Sequence, residues 1–188
     1  MKVDLPAPLG PKRPKIEPRG TSKSMPLSGY TILDLSVMTA GPVGTMLLGD
    51  LGADVIKVEE PARGDLARDL GNQFVNGESV QFMSQNRNKR SLRLDLKSPA
   101  GKAVFLRMAK TADVIVENFR PGTFASFGFD YQNVRKRNPR AIYVSISGYG
   151  QGGPWRGRMA YAPTVQAEAG FTHHMLRHYG DNLKAPQT

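Results

Sequence analysis

Four groups of residues have types and spacings that could do chemistry. The stretch SISGYGQGGPW at 145–155 places glycines at 148, 150 and 153, a G-x-G-x-x-G spacing, directly after the β-branched run AIYVSIS. Glycines so spaced let a backbone approach a phosphate, as in dinucleotide-binding loops. The run SQNRNKRSLRLDLK gathers Arg87, Lys89, Arg90, Arg93 and Lys97 within eleven residues. Such a run is either a solvated loop or a phosphate grip, with Arg bidentate and Lys a point charge. His173, His174 and His178 form HHxxxH, and Glu59, Asp95, Glu117, Glu168 and Asp181 are the carboxylates open to covalent or proton chemistry.

The glycine fingerprint lacks its context. In a dinucleotide-binding unit the glycines join the first strand to its helix, and an acidic residue ends the next strand about 20 residues later. Here Pro154, Trp155 and the basic RGR follow Gly153, and Glu168 falls in the helical-looking APTVQAEAG. The first strand-to-helix turn is instead SVMTAGPVG, with only Gly41 and Gly44. Gly148, Gly150 and Gly153 therefore read as a tight loop at the carboxyl edge of a sheet, where α/β folds place ligands. The histidines lack a third ligand at a suitable spacing, so no metal site is expected. No G-x-S-x-G elbow is present, and a chain with no Cys excludes thiol catalysis and disulfides. Composition does not rank the carboxylates, and YGDN around Asp181 is also a turn signal.

The elements that must position these groups alternate along the chain. TILDLS (31–36), DVIKVE (54–59), DVIVEN (113–118) and AIYVSIS (141–147) read as buried strands, and SLRLDL (91–96) as a short extended stretch. PVGTMLLGDLGA (42–53) reads as a helix with Pro42 in its first turn, and Ser98-Pro99 caps a second helix through Lys110. Asp130 caps a third, while 61–82 reads as loop with a short helical piece. Strands separated by helices predict an α/β fold with a parallel, helix-flanked sheet.

The net charge of +10 is unevenly spread. Residues 1–24 hold six Lys or Arg, two acidic residues and five prolines, so this segment supplies +4. Its composition predicts a disordered, basic, Pro-rich tail over 1–25, with the folded domain over 26–188. The remaining +6 suits a phosphorylated ligand as well as it suits nucleic acid, and the single Trp gives no stacking pattern for a single-strand binder. No apolar run reaches the ~20 residues of a membrane span.

Five segments in order, PLSGYTILDLSVMTAGP, LGDLGADVIKVEEPARGD, NRNKRSLRLDLKSPAG, ADVIVENFRPGTFASFG and SISGYGQGGP, resemble the class III CoA-transferases, the formyl-CoA and carnitine CoA-transferase family. The resemblance runs from about Pro26 to Thr188 and covers the amino-terminal half of the family's length, so the chain is expected to be a truncated portion of a longer fold. It implies a Rossmann-like, CoA-binding domain, an interlocked homodimer for the full-length family, and a cytoplasmic enzyme without a permanently bound cofactor. Its substrates would be an acyl-CoA donor and a carboxylic acid acceptor, with no nucleic acid or membrane partner. Met38, Thr39, Ala40, Leu94, Lys97, Asn118 and Phe119 match the family's CoA contacts. The glycine loop would then serve the acyl site.

In that chemistry a carboxylate attacks the thioester and forms an aspartyl anhydride with release of CoA thiolate. The thiolate returns to give an aspartyl-CoA thioester, and the acceptor acid reverses the sequence. Asp181 is the position that matches the nucleophile. Two departures stand out: family basic contacts fall on Glu60 and Ser126 here. A racemase branch uses a His-Asp pair where this chain reads Met159-Ala160-Tyr161-Ala162, which leaves racemisation a minor alternative beside a catalytically inactive CoA-binding fragment.

Overall fold

The computed structural model describes residues 25–179. Both the Pro-rich segment before Met25 and Asp181 lie outside the described residues. The chain divides into two compact units, the first ending at Ile146 and the second beginning at Ser147.

The first unit is built on five short strands. They are β1 (Thr31–Asp34), β2 (Asp54–Glu59), β5 (Lys89–Arg93), β6 (Val114–Glu117) and β7 (Ile142–Ser145). All pair in parallel, in the order β5-β2-β1-β6-β7. Numbered among themselves the strands run 3-2-1-4-5, so the winding reverses between β1 and β6.

Alternation along each strand splits the core between two faces. Leu33, Leu35, Val58 and Ile115 point to one face, where they meet Phe105 and Ala109 of helix α3 (Pro99–Ala109). Phe124, Phe129 and Val134 complete that cluster, from the segment holding the short helices α4 (Thr123–Ser126) and α5 (Tyr131–Arg135). Ile32, Val55 and Val116 point to the other face, against Leu48 of helix α1 (Ala40–Asp50). Helices on both faces explain why the strands read as continuous apolar runs.

Two caps read from the sequence form as expected. Ser98 Oγ accepts from Gly101 N at 3.0 Å, and the Asp130 carboxylate accepts from Asn133 N at 3.1 Å.

Two segments differ from the expectation. The extended stretch starts and stops two to three residues early, at Lys89–Arg93. Asp95 Oδ1 accepts from Lys97 N at 2.9 Å, a side-chain turn that competes with strand pairing and ends β5. The 61–82 loop is more ordered than its composition suggests. It holds a single 3₁₀ turn (Leu66–Arg68), a two-residue hairpin of β3 (Phe74–Val75) and β4 (Glu78–Ser79), and the start of α2 (Val80–Gln85). The hairpin turns at Asn76-Gly77, both at positive φ, the local signal for a two-residue turn.

The second unit follows β7. Residues 147–161 form turns without regular structure, and α6 (Ala162–Glu168) and α7 (Phe171–Tyr179) come after them. Neither helix has a buried residue.

Gly101 fixes the loop between β5 and α3. A Cβ there would lie 1.8 Å from the Asp95 carbonyl oxygen. Gly101→Ala gains about 1 kcal/mol of helix propensity, but backbone collision costs more, in the range of about 1–3 kcal/mol or above. A net loss of about 1 kcal/mol or more is expected from urea unfolding; an increase in stability would contradict this packing.

Candidate functional site

The site lies at the carboxyl ends of the parallel strands, on both sides of the winding reversal between β1 and β6, where open α/β sheets leave a crevice. The turn Leu35–Thr39 leaves β1 and enters α1, while Asn118 and Phe119 leave β6. Leu94 and Lys97 leave β5, on the same edge because all five strands are parallel. From β5 to β6 the edge spans three inter-strand steps, about 14 Å. The seven residues for which the resemblance implies CoA contacts are therefore brought to one edge, although they come from three parts of the sequence.

Asn118 ties the crevice together. Its Oδ1 accepts from Val37 N at 2.8 Å, and its Nδ2 donates to Val37 O at 2.8 Å. One side chain thus satisfies both polar groups of a backbone unit that no strand pairing serves. Phe119 packs its ring on Phe124, with centroids 5.2 Å apart and planes 16° from parallel. Thr39 and Ala40 are exposed at the start of α1. Thr39 makes no capping hydrogen bond with its side chain, so the exposed start of α1 at Ala40 carries no side-chain cap. Met38 has φ +68, in the left-handed region that a side chain disfavours.

Beneath this edge lies a buried charged layer. Lys89 Nζ donates to Asp34 Oδ2, Pro42 O and Asn86 Oδ1, each at 2.8 Å. Thr45 Oγ1 donates to Asp34 Oδ2 at 2.7 Å, and the Ser36 hydroxyl donates to Asp34 Oδ1. Burial pushes the Asp34 carboxyl up, but the Lys57 and Lys89 charges and these hydrogen bonds outweigh it and hold the group below its ordinary value. Lys57 Nζ lies 2.8 Å from Asp65 Oδ2 and donates to Ser36 O at 2.8 Å. Glu59 is gripped by Arg68, whose Nε and Nη2 each donate at 2.9 Å, and by the Ser91 hydroxyl. Here too burial works upward and is outweighed, so Glu59 stays below its ordinary value.

This layer changes the reading of the basic cluster. Lys89 is structural, Arg87 pairs with Asp50 and Arg90 with Asp54. Arg93 donates to Pro61 O at 3.2 Å. Lys97 is exposed and makes no ion pair with any described residue. The five cations are therefore not one phosphate grip: three are engaged by carboxylates, Arg93 by a backbone carbonyl, and Lys97 is exposed at the strand ends without an ion pair to any described residue. Sequence reasoning missed Asp34, Lys57 and Asp65. The available signal was a charge in the middle of an apolar strand, at LDL and IKV.

The remaining candidates separate. Gly150 and Gly153 have φ +82 and +83, and a Cβ on Gly148 would lie 1.8 Å from the Ala160 Cβ. These glycines are required by the loop of the second unit, and no helix begins until Ala162. Glu168 of that unit pairs with Arg158 and accepts from the Tyr149 hydroxyl. His174 and His178 face each other along α7, with centroids 6.0 Å apart, and among the described residues no three His, Asp or Glu side chains form a metal cluster. Glu60 is exposed and accepts from Arg63 N, and Ser126 Oγ donates to Thr123 O, so both departures from the family pattern are occupied locally. Among the described residues no helix is long and apolar enough to cross a membrane.

The family model for CoA-transferase family III matches residues 27–187. Mouse succinyl-CoA:glutarate CoA-transferase is 46% identical over 157 residues, covering 83% of this chain and 36% of the relative. The acetyl-CoA:oxalate CoA-transferase of Acetobacter aceti is 46% identical over 146 residues, covering 78% of this chain and 37% of its own length. The chain therefore spans little more than a third of these curated relatives. Among solved structures, a CAIB/BAIF family protein from Brucella suis matches with a TM-score of 0.76 at 36% identity, over 88% of this chain and 44% of that one.

Glu117 differs from the other buried carboxylates in having no ion pair with a cation among the described residues. Burial raises it above its ordinary 4.5, with hydrogen bonds from Ser145 and from Phe119 N opposing only in part. A raised folded value favours the protonated form, so its contribution to stability is full below 4.5 and lost as pH rises through the folded value. Glu117→Gln is expected to melt at or above wild type at pH 7 and to lose that advantage at pH 4. A variant less stable than wild type at pH 7 alone would contradict the burial argument.

Proposed function

Because the chain belongs to the class III CoA-transferase family, we propose that the crevice between β1 and β6 binds coenzyme A and that the whole protein moves CoA between an acyl-CoA and a carboxylic acid. The single observation that carries this reading is the convergence of three separate segments, Met38–Ala40, Leu94–Lys97 and Asn118–Phe119, on one sheet edge. The uncapped start of α1 and the exposed Lys97 supply positive potential for phosphate oxygens. The edge is long enough, at about 14 Å, for a ligand extended along it rather than seated at one point.

The covalent part of the proposal rests on the family resemblance. A carboxylate attacks the thioester carbonyl and CoA leaves as thiolate, giving an acyl-aspartyl anhydride. The thiolate then attacks the aspartyl carbonyl and releases the first acid, leaving an aspartyl-CoA thioester that the acceptor acid resolves by the reverse steps. Ionised at neutral pH, a carboxylate is a competent nucleophile when bound substrate holds the reacting atoms together. Asp181 is the proposed nucleophile, and the loop of Gly148, Gly150 and Gly153 is the proposed border of the acyl group. The homodimer and the cytoplasmic setting belong to the same proposal, with dicarboxylic acids as the first acceptors to assay, given the named relatives. A CoA-binding chain without activity is the second reading.

Calorimetric titration of CoA tests the binding part. Asn118→Ala is expected to weaken CoA by about ten- to hundredfold, the scale of one lost buried hydrogen-bonding side chain. Unchanged affinity would place the ligand elsewhere. Incubation with acyl-CoA and hydroxylamine tests the covalent part: wild type is expected to be labelled and Asp181→Asn not. Equal labelling removes Asp181 from the mechanism, and no labelling of either chain favours the inactive reading.

A further inference from the structure

Ser36, Val37 and Met38 form the turn by which β1 delivers its chain to the crevice, and every inward backbone group of that turn is held by a side chain. Ser36 O accepts from Lys57 Nζ at 2.8 Å. Val37 N and O are both taken by Asn118, and Met38 N donates to Asp65 Oδ1 at 3.0 Å. Met38 is one of three non-glycine residues at positive φ among those described; the other two are Asn76 and Asn88, a residue type that tolerates this region. A methionine stays there only when its surroundings over-determine it.

Lys57 and Asp65 are that surrounding. Both side chains are fully buried, at 2% and 0% exposure. Asp65 Oδ1 also accepts from Ala67 N at 3.0 Å, and Asp65 N donates to Glu59 Oε1 at 3.1 Å, so the carboxylate cannot swing away. Its Oδ2 has no well-directed hydrogen bond and lies 2.8 Å from the Lys57 ammonium. The pair comes from a central strand and a loop, and it grips the turn at two consecutive peptide units.

We propose that Asp65, buried beside Lys57, is a positioning residue for the ligand site: its Oδ1 takes the Met38 amide, holds Met38 in its left-handed conformation and so sets the direction of the Thr39–Ala40 segment at the crevice. The inference rests on the CoA reading of that crevice. Neither residue touches the ligand. The oxygen that receives Met38 N matters more to binding than the charge behind it.

Two double variants of the full 188-residue chain separate these roles. Lys57→Met with Asp65→Leu removes both charges and the acceptor, leaving apolar side chains in an apolar layer. Lys57→Met with Asp65→Asn also removes both charges but keeps an oxygen for Met38 N. Each is melted and titrated with CoA. The leucine pair is expected to lose affinity on the order of 30-fold, and the asparagine pair to stay within about threefold of wild type. The proposal is overturned if the leucine pair binds as wild type does, or if both pairs lose affinity in step with their melting temperatures. Should the leucine pair not melt cooperatively, amide exchange in the wild-type chain decides. Met38 N–H is then expected to exchange as slowly as Ile115 N–H in β6, and exchange at the rate of exposed loop amides overturns the proposal. Absence of any CoA binding by wild type would instead refute the binding reading itself.

Discussion

Two lysines buried beneath the carboxyl edge of the sheet, Lys57 and Lys89, are paired with Asp65 and Asp34, and the geometry of the crevice follows from that pairing. Removing a charge from water costs several kcal/mol, and losing one partner of a buried pair costs about 3–5 kcal/mol. The two pairs are therefore weak as sources of stability and strong as constraints. Any displacement of the β1–α1 turn would leave Asp34, Asp65 or the Ser36 carbonyl without its partner. A hydrophobic layer of the same volume would hold the strands together equally well, but it would not specify the direction of the Val37 and Met38 peptide groups.

That constraint explains a division of labour in the fold. The phenylalanine cluster of Phe105, Phe124 and Phe129 fills one face of the sheet and needs no polar atom. The polar layer gathers around Asp34 and Glu59, the last residues of β1 and β2, with Lys57 reaching in from within β2 and Lys89 from the first position of β5. Phe119 joins the two regions, since its ring packs on Phe124 while its backbone follows Asn118 into the crevice. Glu117, one residue earlier, carries a cost of burial that no cation among the described residues offsets.

Much of the fold was legible in the sequence because local rules determine it. Apolar runs such as TILDL and DVIVE fix the central strands, Ser98 and Asp130 fix helix starts, and the order of strands and helices fixes the parallel sheet. The turn residues Met38–Ala40 and the pair Asn118–Phe119 were legible through the family resemblance alone. What escaped was everything decided by long-range pairing. Lys89 stands in a basic run that looks like a solvated loop, and only the partnership with Asp34, 55 residues earlier, buries it. Lys57 looks like one polar residue in a strand, and its partner Asp65 lies in a loop whose composition says nothing about burial. The 61–82 segment was underread for the same reason: Arg68 stacks on Phe82 at 3.8 Å and grips Glu59, contacts that no local pattern reveals.

The account stands on one claim, that an extended CoA lies along the carboxyl ends of β5, β2, β1 and β6. Amide chemical-shift mapping of the 188-residue chain with added CoA tests it most directly. The predicted result is a set of saturable shifts at Met38–Ala40, Leu94–Lys97 and Asn118–Phe119. Shifts centred instead on the opposite edge of the sheet, around Tyr30, Lys110 and Arg140, or none at saturating CoA, would contradict it.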